Sequence, residues 1–130
     1  MKIALIKAPW WVRYCPPYIL AYFSAYLKSL GHQTFMWDLN NLFYHENSPE
    51  NKKFWDNRDY YSYWENPSFT QNILDNSNAQ KYVAEIVNSG AQVFIFDTHT
   101  PSVNISYAIA RSIKKALPEA IVIFFGHKAS

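Results

Sequence analysis

The chain has 130 residues, 49% of them hydrophobic and 18% aromatic, with a formal charge of +2. That length suits one domain with its own core and not two. The charge is too small to mark a nucleic-acid partner, no apolar run reaches the length of a membrane span, and one cysteine, Cys15, allows neither an internal disulfide nor a cluster ligated by cysteines of this chain alone.

Lys2-Ile3-Ala4-Leu5-Ile6-Lys7 is a short, nearly continuous apolar run, the pattern of a strand buried on both faces of a parallel sheet. No signal-peptide cleavage motif precedes it, so a cytoplasmic location is expected. The loop over residues 8–16 has no glycine and carries Trp10, Trp11 and Arg13. Pro16 and Pro17 suit a helix entrance, where proline presets φ and no N–H is missed. Ile19, Leu20, Phe23, Leu27 and Leu30 then recur at helical spacing, and Gly31 is the helix stop.

A second strand is expected over residues 33–39, parallel to the first because a helix joins them. Asp38 at its end is the place for a ribose-binding acid in dinucleotide folds. The glycine-free loop excludes that use, and Asp38 is assigned to a strand end or turn.

Residues 40–76 break the rhythm. They are rich in asparagine and aromatics, and so long a connection in a compact domain is functional or disordered as a rule. The aromatic load argues for order. Short helical turns around 52–55 and 60–64 are expected, packed as a cap near the sheet. Stacking on single-stranded nucleic acid would need a basic groove, which the segment lacks, so core or interface packing is preferred.

Ser77-Asn78-Ala79-Gln80 matches a capping box. A helix is expected to about residue 88, with Ala79, Val83, Ile86 and Val87 inward and Gly90 after it. Residues 91–96 form a third strand. Thr100-Pro101 reads as an N-cap followed by proline at the first helical position. Ile105, Ile109, Ile113 and Leu117 line one face of the next helix, and residues 120–125 form a fourth strand.

The alternation predicts an α/β domain with a parallel sheet in the order 2-1-3-4, a flavodoxin-like or Rossmann-like three-layer arrangement lacking its fifth strand, with an aromatic insert after strand two. A chain that stops after a strand leaves an uncovered edge, so a longer parent protein is expected. Ligands of such sheets bind beyond the carboxyl ends of the strands.

Pro9-Trp10, Pro16-Pro17-Tyr18, Gly31-His32 and Asp38-Leu39-Asn40 follow one another in an unusual order. Phe96-Asp97-Thr98-His99-Thr100-Pro101 and Phe124-Phe125-Gly126-His127-Lys128-Ala129-Ser130 stand at the ends of strands three and four. On these residues, both flanks of the domain resemble the N-terminal cobalamin-binding domain of B12-dependent radical SAM proteins. The resemblance skips the insert, and Phe125 stands where the family has glycine. It implies base-off cobalamin at the strand ends, held by Pro9, Trp10, Trp11, Val12, Arg13, Pro16, Thr98, His99, Thr100, Asn104, Gly126 and Lys128. It also implies a C-terminal radical SAM barrel in the same polypeptide, with S-adenosylmethionine and a 4Fe-4S cluster on a Cys-x3-Cys-x-x-Cys motif. This chain lacks that motif, so radical or methyl-transfer activity is not expected of it alone.

Asp97-Thr98-His99 imitates the D-x-H motif whose histidine binds cobalt in cobalamin-dependent methyltransferases. It follows strand three instead of strand one, and Ser102 replaces the motif's glycine, so His99 is assigned to a pocket wall in preference to a cobalt ligand. Asp97 is also where a receiver domain is phosphorylated, but Lys7-Ala8-Pro9 supplies no acidic pair after strand one. The alternative function is a cofactor-free docking module for a protein or peptide. The sheet edge and the aromatic insert are the surfaces through which copies would self-associate.

Overall fold

The computed structural model describes residues 1–13 and 15–126. Strands β1 (Lys2–Lys7), β2 (Gln33–Asp38), β3 (Val93–Thr98) and β4 (Ile121–Gly126) form one sheet, parallel throughout, in the order β2-β1-β3-β4. This is the flavodoxin-like order of a doubly wound sheet, with no fifth strand among the described residues. β1 lies between two partners, Ala4 pairing with Phe35 on one side and Phe94 on the other, and both its faces are apolar because each is covered, Ile3 and Leu5 in one cluster and Ala4 and Ile6 in the other. Among the described residues no helix is long and apolar enough to cross a membrane.

Helix α1 (Tyr18–Ser29) packs on one face, where fully buried Leu20 meets Ile3, Leu5 and Val93. Gly31 follows at φ +88°, the left-handed geometry that stops the helix. Its helical face is narrower than its sequence spacing suggests. Phe23 and Leu27 are half-buried, while Ile19 and Leu30 are exposed, because one helix cannot cover four strands.

The opposite face holds the larger core. There Ala4, Ile6, Phe94 and Phe96 meet helices α5 (Ala79–Asn88) and α6 (Val103–Ala116) and the insert. Ala79, Val83 and Ile86 point inward as expected, joined by Tyr82, while Val87 is half-buried. The phenol of Tyr82 donates to Glu46 Oε1 at 2.8 Å, and burial, then that hydrogen bond, push its pKa up to about 12.

The insert is more regular than its composition suggests. It runs through α2 (Leu39–Glu46), α3 (Pro49–Asp56), a 3₁₀ segment (Arg58–Glu65) and α4 (Pro67–Asn76). The Asn-Ser-Pro and Asn-Pro-Ser turns are in fact helix starts. Ser48 accepts from the Asn51 N–H, Asn66 accepts from the N–H groups of Ser68 and Phe69, and a proline follows each cap. The segment is cap and core at once. Phe43, Trp55, Trp64 and Ile73 are buried against the sheet's cluster, each worth about 1.5–3 kcal/mol or more in removed apolar surface.

Ser77 does not open α5 with a capping box. It is buried, donates back to the Ile73 carbonyl at the end of α4 and accepts from the Asn47 amide. Asn78, at φ 54°, then turns the chain into α5 without a side-chain cap.

Candidate functional site at the carboxyl ends of the strands

The loop after β1 lies where β1 and β3 diverge, the switch point at which open sheets take ligands. Pro9 is buried, Trp10, Trp11, Val12 and Arg13 are half-buried, and Pro16 is exposed. The loop is shaped by side chains from the insert, not by glycines. Asn40, 1% exposed, accepts from the Trp11 N–H at 3.1 Å, donates to the Trp11 carbonyl at 2.9 Å and accepts from Trp55 Nε1 at 3.0 Å. Trp10 Nε1 donates to the Trp55 carbonyl at 3.3 Å, and its ring meets Tyr61 edge-on at 5.7 Å. Trp11 Nε1 donates to the Cys15 carbonyl at 3.0 Å.

Arg13 also belongs to the insert. Its Nε and Nη2 donate to Asp56 Oδ1 at 3.1 and 3.0 Å, and its guanidinium lies 3.6 Å from the Tyr44 ring centroid. Tyr44 donates to the other oxygen of Asp56 at 3.0 Å. Burial, then that hydrogen bond, raise the pKa of Tyr44.

Register places the last residues of β1 and β3 side by side. Lys7 Nζ therefore meets Asp97 Oδ2 at 2.8 Å, with the side chains 1% and 5% exposed. Asp97 Oδ1 faces His99 Nε2 at 3.5 Å, long for a hydrogen bond, and has no closer-bonded partner among the described residues. Burial lowers the Lys7 pKa, against the raising effect of Asp97. Burial pushes Asp97 the other way, upward, but His99 and Lys7 outweigh it and hold the carboxyl below its ordinary value. Trp11 roofs the cluster. Its ring stacks on His99 at 4.7 Å with a 17° tilt, and Lys7 Nζ lies 4.2 Å from its centroid.

His99, not Thr100, occupies the cap position. A 3₁₀ turn (Thr100–Ser102) precedes α6, because Ser102 Oγ accepts from the His99 N–H at 2.8 Å and donates to the His99 carbonyl at 3.1 Å. Thr100 is half-buried beside it. Asn104 Nδ2 donates to the Glu65 carbonyl at 2.8 Å and so ties α6 to the insert.

Thr98 and Gly126 form the last pair of the β3–β4 ladder. The Thr98 hydroxyl donates to the Phe125 carbonyl at 2.8 Å. Gly126 has φ +116°, and a Cβ there would stand 2.1 Å from the Thr98 carbonyl oxygen, so the closing of this ladder requires glycine. Phe125 turns to the α1 side and meets Phe23 at 5.1 Å. Lys128 lies outside the described residues.

Seven of the twelve expected residues fall into three sets. Trp11 and His99 come together over Lys7 and Asp97; Trp10, Arg13 and Asn104 are bound to the insert; Thr98 and Gly126 close the strand ends. Asn40 and the Lys7–Asp97 pair are the structural centre, and neither was assigned a role from sequence. Asn40 had a signal in Asp38-Leu39-Asn40, and Lys7 had one as a cation ending an otherwise apolar strand.

A corrin needs apolar surface; Trp10, Trp11 and Val12 are half-buried at the strand-end edge, with the Trp11 ring against His99 and Lys7 and the Trp10 ring against Tyr61. Of the three residues that the resemblance sets along the corrin's nucleotide tail, Thr98 and Gly126 are engaged in strand pairing and Thr100 is half-buried. Among the described residues no group of three or more His, Cys, Asp or Glu side chains is placed to hold a metal ion. A separate cleft of about 480 Å³ lies between α4, α5 and α6, with Arg111 and Lys115 among its lining residues.

None of the family models, curated proteins and solved structures compared with the chain matches it.

Proposed function

We propose that this domain seats a corrinoid, base-off, at the carboxyl ends of its strands, as the N-terminal unit of a larger radical SAM enzyme. The observation that carries the reading is the tryptophan loop at the β1–β3 switch point. It is braced by Asn40 and carries aromatic and apolar surface where nucleotide folds carry phosphate-cradling glycines. Trp10, Trp11 and Val12 would face the macrocycle, and the first turn of the Thr100–Ser102 segment the tail. His99 serves as a wall, stacked on Trp11 and turned by Nε2 toward Asp97. A bound corrinoid supplies a cobalt centre for group transfer. The reaction itself belongs to the barrel, with its S-adenosylmethionine and 4Fe-4S cluster, and a cytoplasmic location goes with that chemistry.

Titration of the purified domain with hydroxocobalamin tests this. The cofactor is expected to stay with the protein through a desalting column, with a visible spectrum that is free of imidazole ligation and unchanged in His99→Ala. Phe125→Gly, which restores the family's glycine, is expected to tighten binding. A histidine-type spectrum lost in His99→Ala would make His99 the cobalt ligand.

A second reading has its own observation. Phe125 packs on Phe23 and its carbonyl takes the Thr98 hydroxyl, filling the strand end beside α1. A domain closed in this way is a docking module for a protein or peptide. Absence of both retention and spectral change in the wild type and in Phe125→Gly decides for it.

A further inference from the structure

The face of the sheet that carries α1 is only partly covered. Beyond α1, β4 presents Ile121, 56% exposed, and Ile123, 43% exposed, in register with Val93 and Ile95 of β3. α1 presents a second apolar area. Tyr18, Tyr22 and Tyr26 stand four residues apart, which places them along one side of the helix, and they are 71%, 75% and 55% exposed. Neither surface carries an acidic group: α1 has no Asp or Glu, and β4 has no charged residue.

The two areas differ in direction, and this limits what can cover both. Tyr18 and Tyr22 are each two residues from buried Leu20 and so point about 160° away from it, since successive residues step by about 100°. A lone helix laid on β4 would cover Ile121 and Ile123 and leave these two tyrosines in water.

We infer that this face joins two copies of the chain about a two-fold axis running along the strands. That rotation turns the sheet over and reverses its lateral order. The α1 of each copy, seated on its own β1 and β2, then lies against β3 and β4 of the other. The tyrosine stripe covers the partner's Ile121 and Ile123, and both exposed areas are buried in one isologous contact. A stable pair buries about 800 Å² per partner. At these exposures three tyrosines of about 150–250 Å² each offer about 300–500 Å², and Ile121 and Ile123 extend it, so the stripe and the strand supply the larger part of such a contact. The surface is aromatic and aliphatic and has no acidic group, the composition of an interface centre. It lies on the face of the sheet, not on its edge or on the insert, and the inference does not rest on the corrinoid reading.

Sedimentation equilibrium of the chain tests it. Twice the chain mass is expected. Tyr22→Glu and Ile123→Lys, both at exposed positions, are each expected to give a monomer with the wild-type far-UV spectrum. An equimolar mixture of the two variants is expected to regain the dimer. In that heterodimer one stripe–strand contact is native, and the other sets a carboxylate against an ammonium. A monomeric wild type overturns the inference. So does a dimer that survives both substitutions, a mixture of folded variants that stays monomeric, or a dimer broken instead by Tyr61→Glu in the insert.

Discussion

Asp97→Ala is expected to cost the domain about 3–5 kcal/mol, the effect of leaving a buried charge without its partner. Lys7 Nζ sits 2.8 Å from the Asp97 carboxylate with its side chain 1% exposed. Without Asp97 the ammonium keeps its desolvation penalty and loses the ion pair and hydrogen bond that offset it. Urea unfolding at neutral pH, followed by circular dichroism, measures the loss. The double variant Lys7→Met, Asp97→Leu removes both charges and is expected to be near neutral or more stable than the wild type. A loss below about 1 kcal/mol in Asp97→Ala, the range of exposed pairs, would show that the pair is solvated.

The same pair sets the pH dependence of stability. The folded pKa of Asp97 lies below its ordinary value. Its stabilisation is therefore full above the unfolded carboxylate pKa, about 3.9, and is lost as pH falls through the lower folded value. Lys7 acts in the same direction but in the alkaline range, as a burial penalty that is relieved when the ammonium loses its proton. Its folded pKa is lowered, so between that value and about 10.4 the unfolded chain binds more protons and stability rises with pH. In Asp97→Ala the alkaline gain is expected to begin at lower pH, because the pKa-raising partner is gone.

Trp64→Ala is expected to lower stability by about 3–5 kcal/mol, the range for removing a fully buried large aromatic side chain. Trp64 is 0% exposed, meets Trp55 edge-on at 4.8 Å and donates from Nε1 to the Phe54 carbonyl at 3.0 Å. Trp55 in turn holds Asn40 and, through its carbonyl, Trp10. The ring thus links the insert to the strand-end loop. A single unfolding transition with a reduced midpoint and unchanged slope is expected, because the insert shares the sheet's core. Tyr63→Ala, one residue away and 47% exposed, is expected to cost less, about 0.5–1.5 kcal/mol, the worth of its ring contacts with Phe54 and Phe69. Two transitions in Trp64→Ala, with the sheet melting at its usual midpoint, would make the insert an independent lid.

Local chemistry carried the fold. Short unbroken apolar runs read as strands of a parallel sheet, and β1 and β3 are buried along nearly their whole length. Gly31 and Gly90, both at positive φ, end α1 and α5 as expected. Right-handed crossovers then narrow four strands joined by helices to a few orders, of which the doubly wound 2-1-3-4 is the one observed. These signals act over a few residues and need no knowledge of distant contacts. The helix starts at Ser48 and Asn66 were equally local, since a cap followed by proline marks a helix and not only a turn.

Tertiary structure decided what short-range preference does not encode. Lys7 and Asp97 are 90 positions apart, and only strand register brings them together. Asn40 binds Trp11 and Trp55, 29 and 15 positions away. An asparagine at the start of a helix carries the same local pattern whether it faces water or braces a loop. Ser77 satisfied the capping-box pattern, yet burial beside Asn47 and Ile73 made it a bridge between helices. The exposure of Ile121 and Ile123 depended on how much of the sheet one helix can cover. By itself the sequence determined which segments become strands and helices and in what order they pair. Which polar groups meet at the strand ends, and which apolar faces remain open, followed from register and packing between segments remote in the chain.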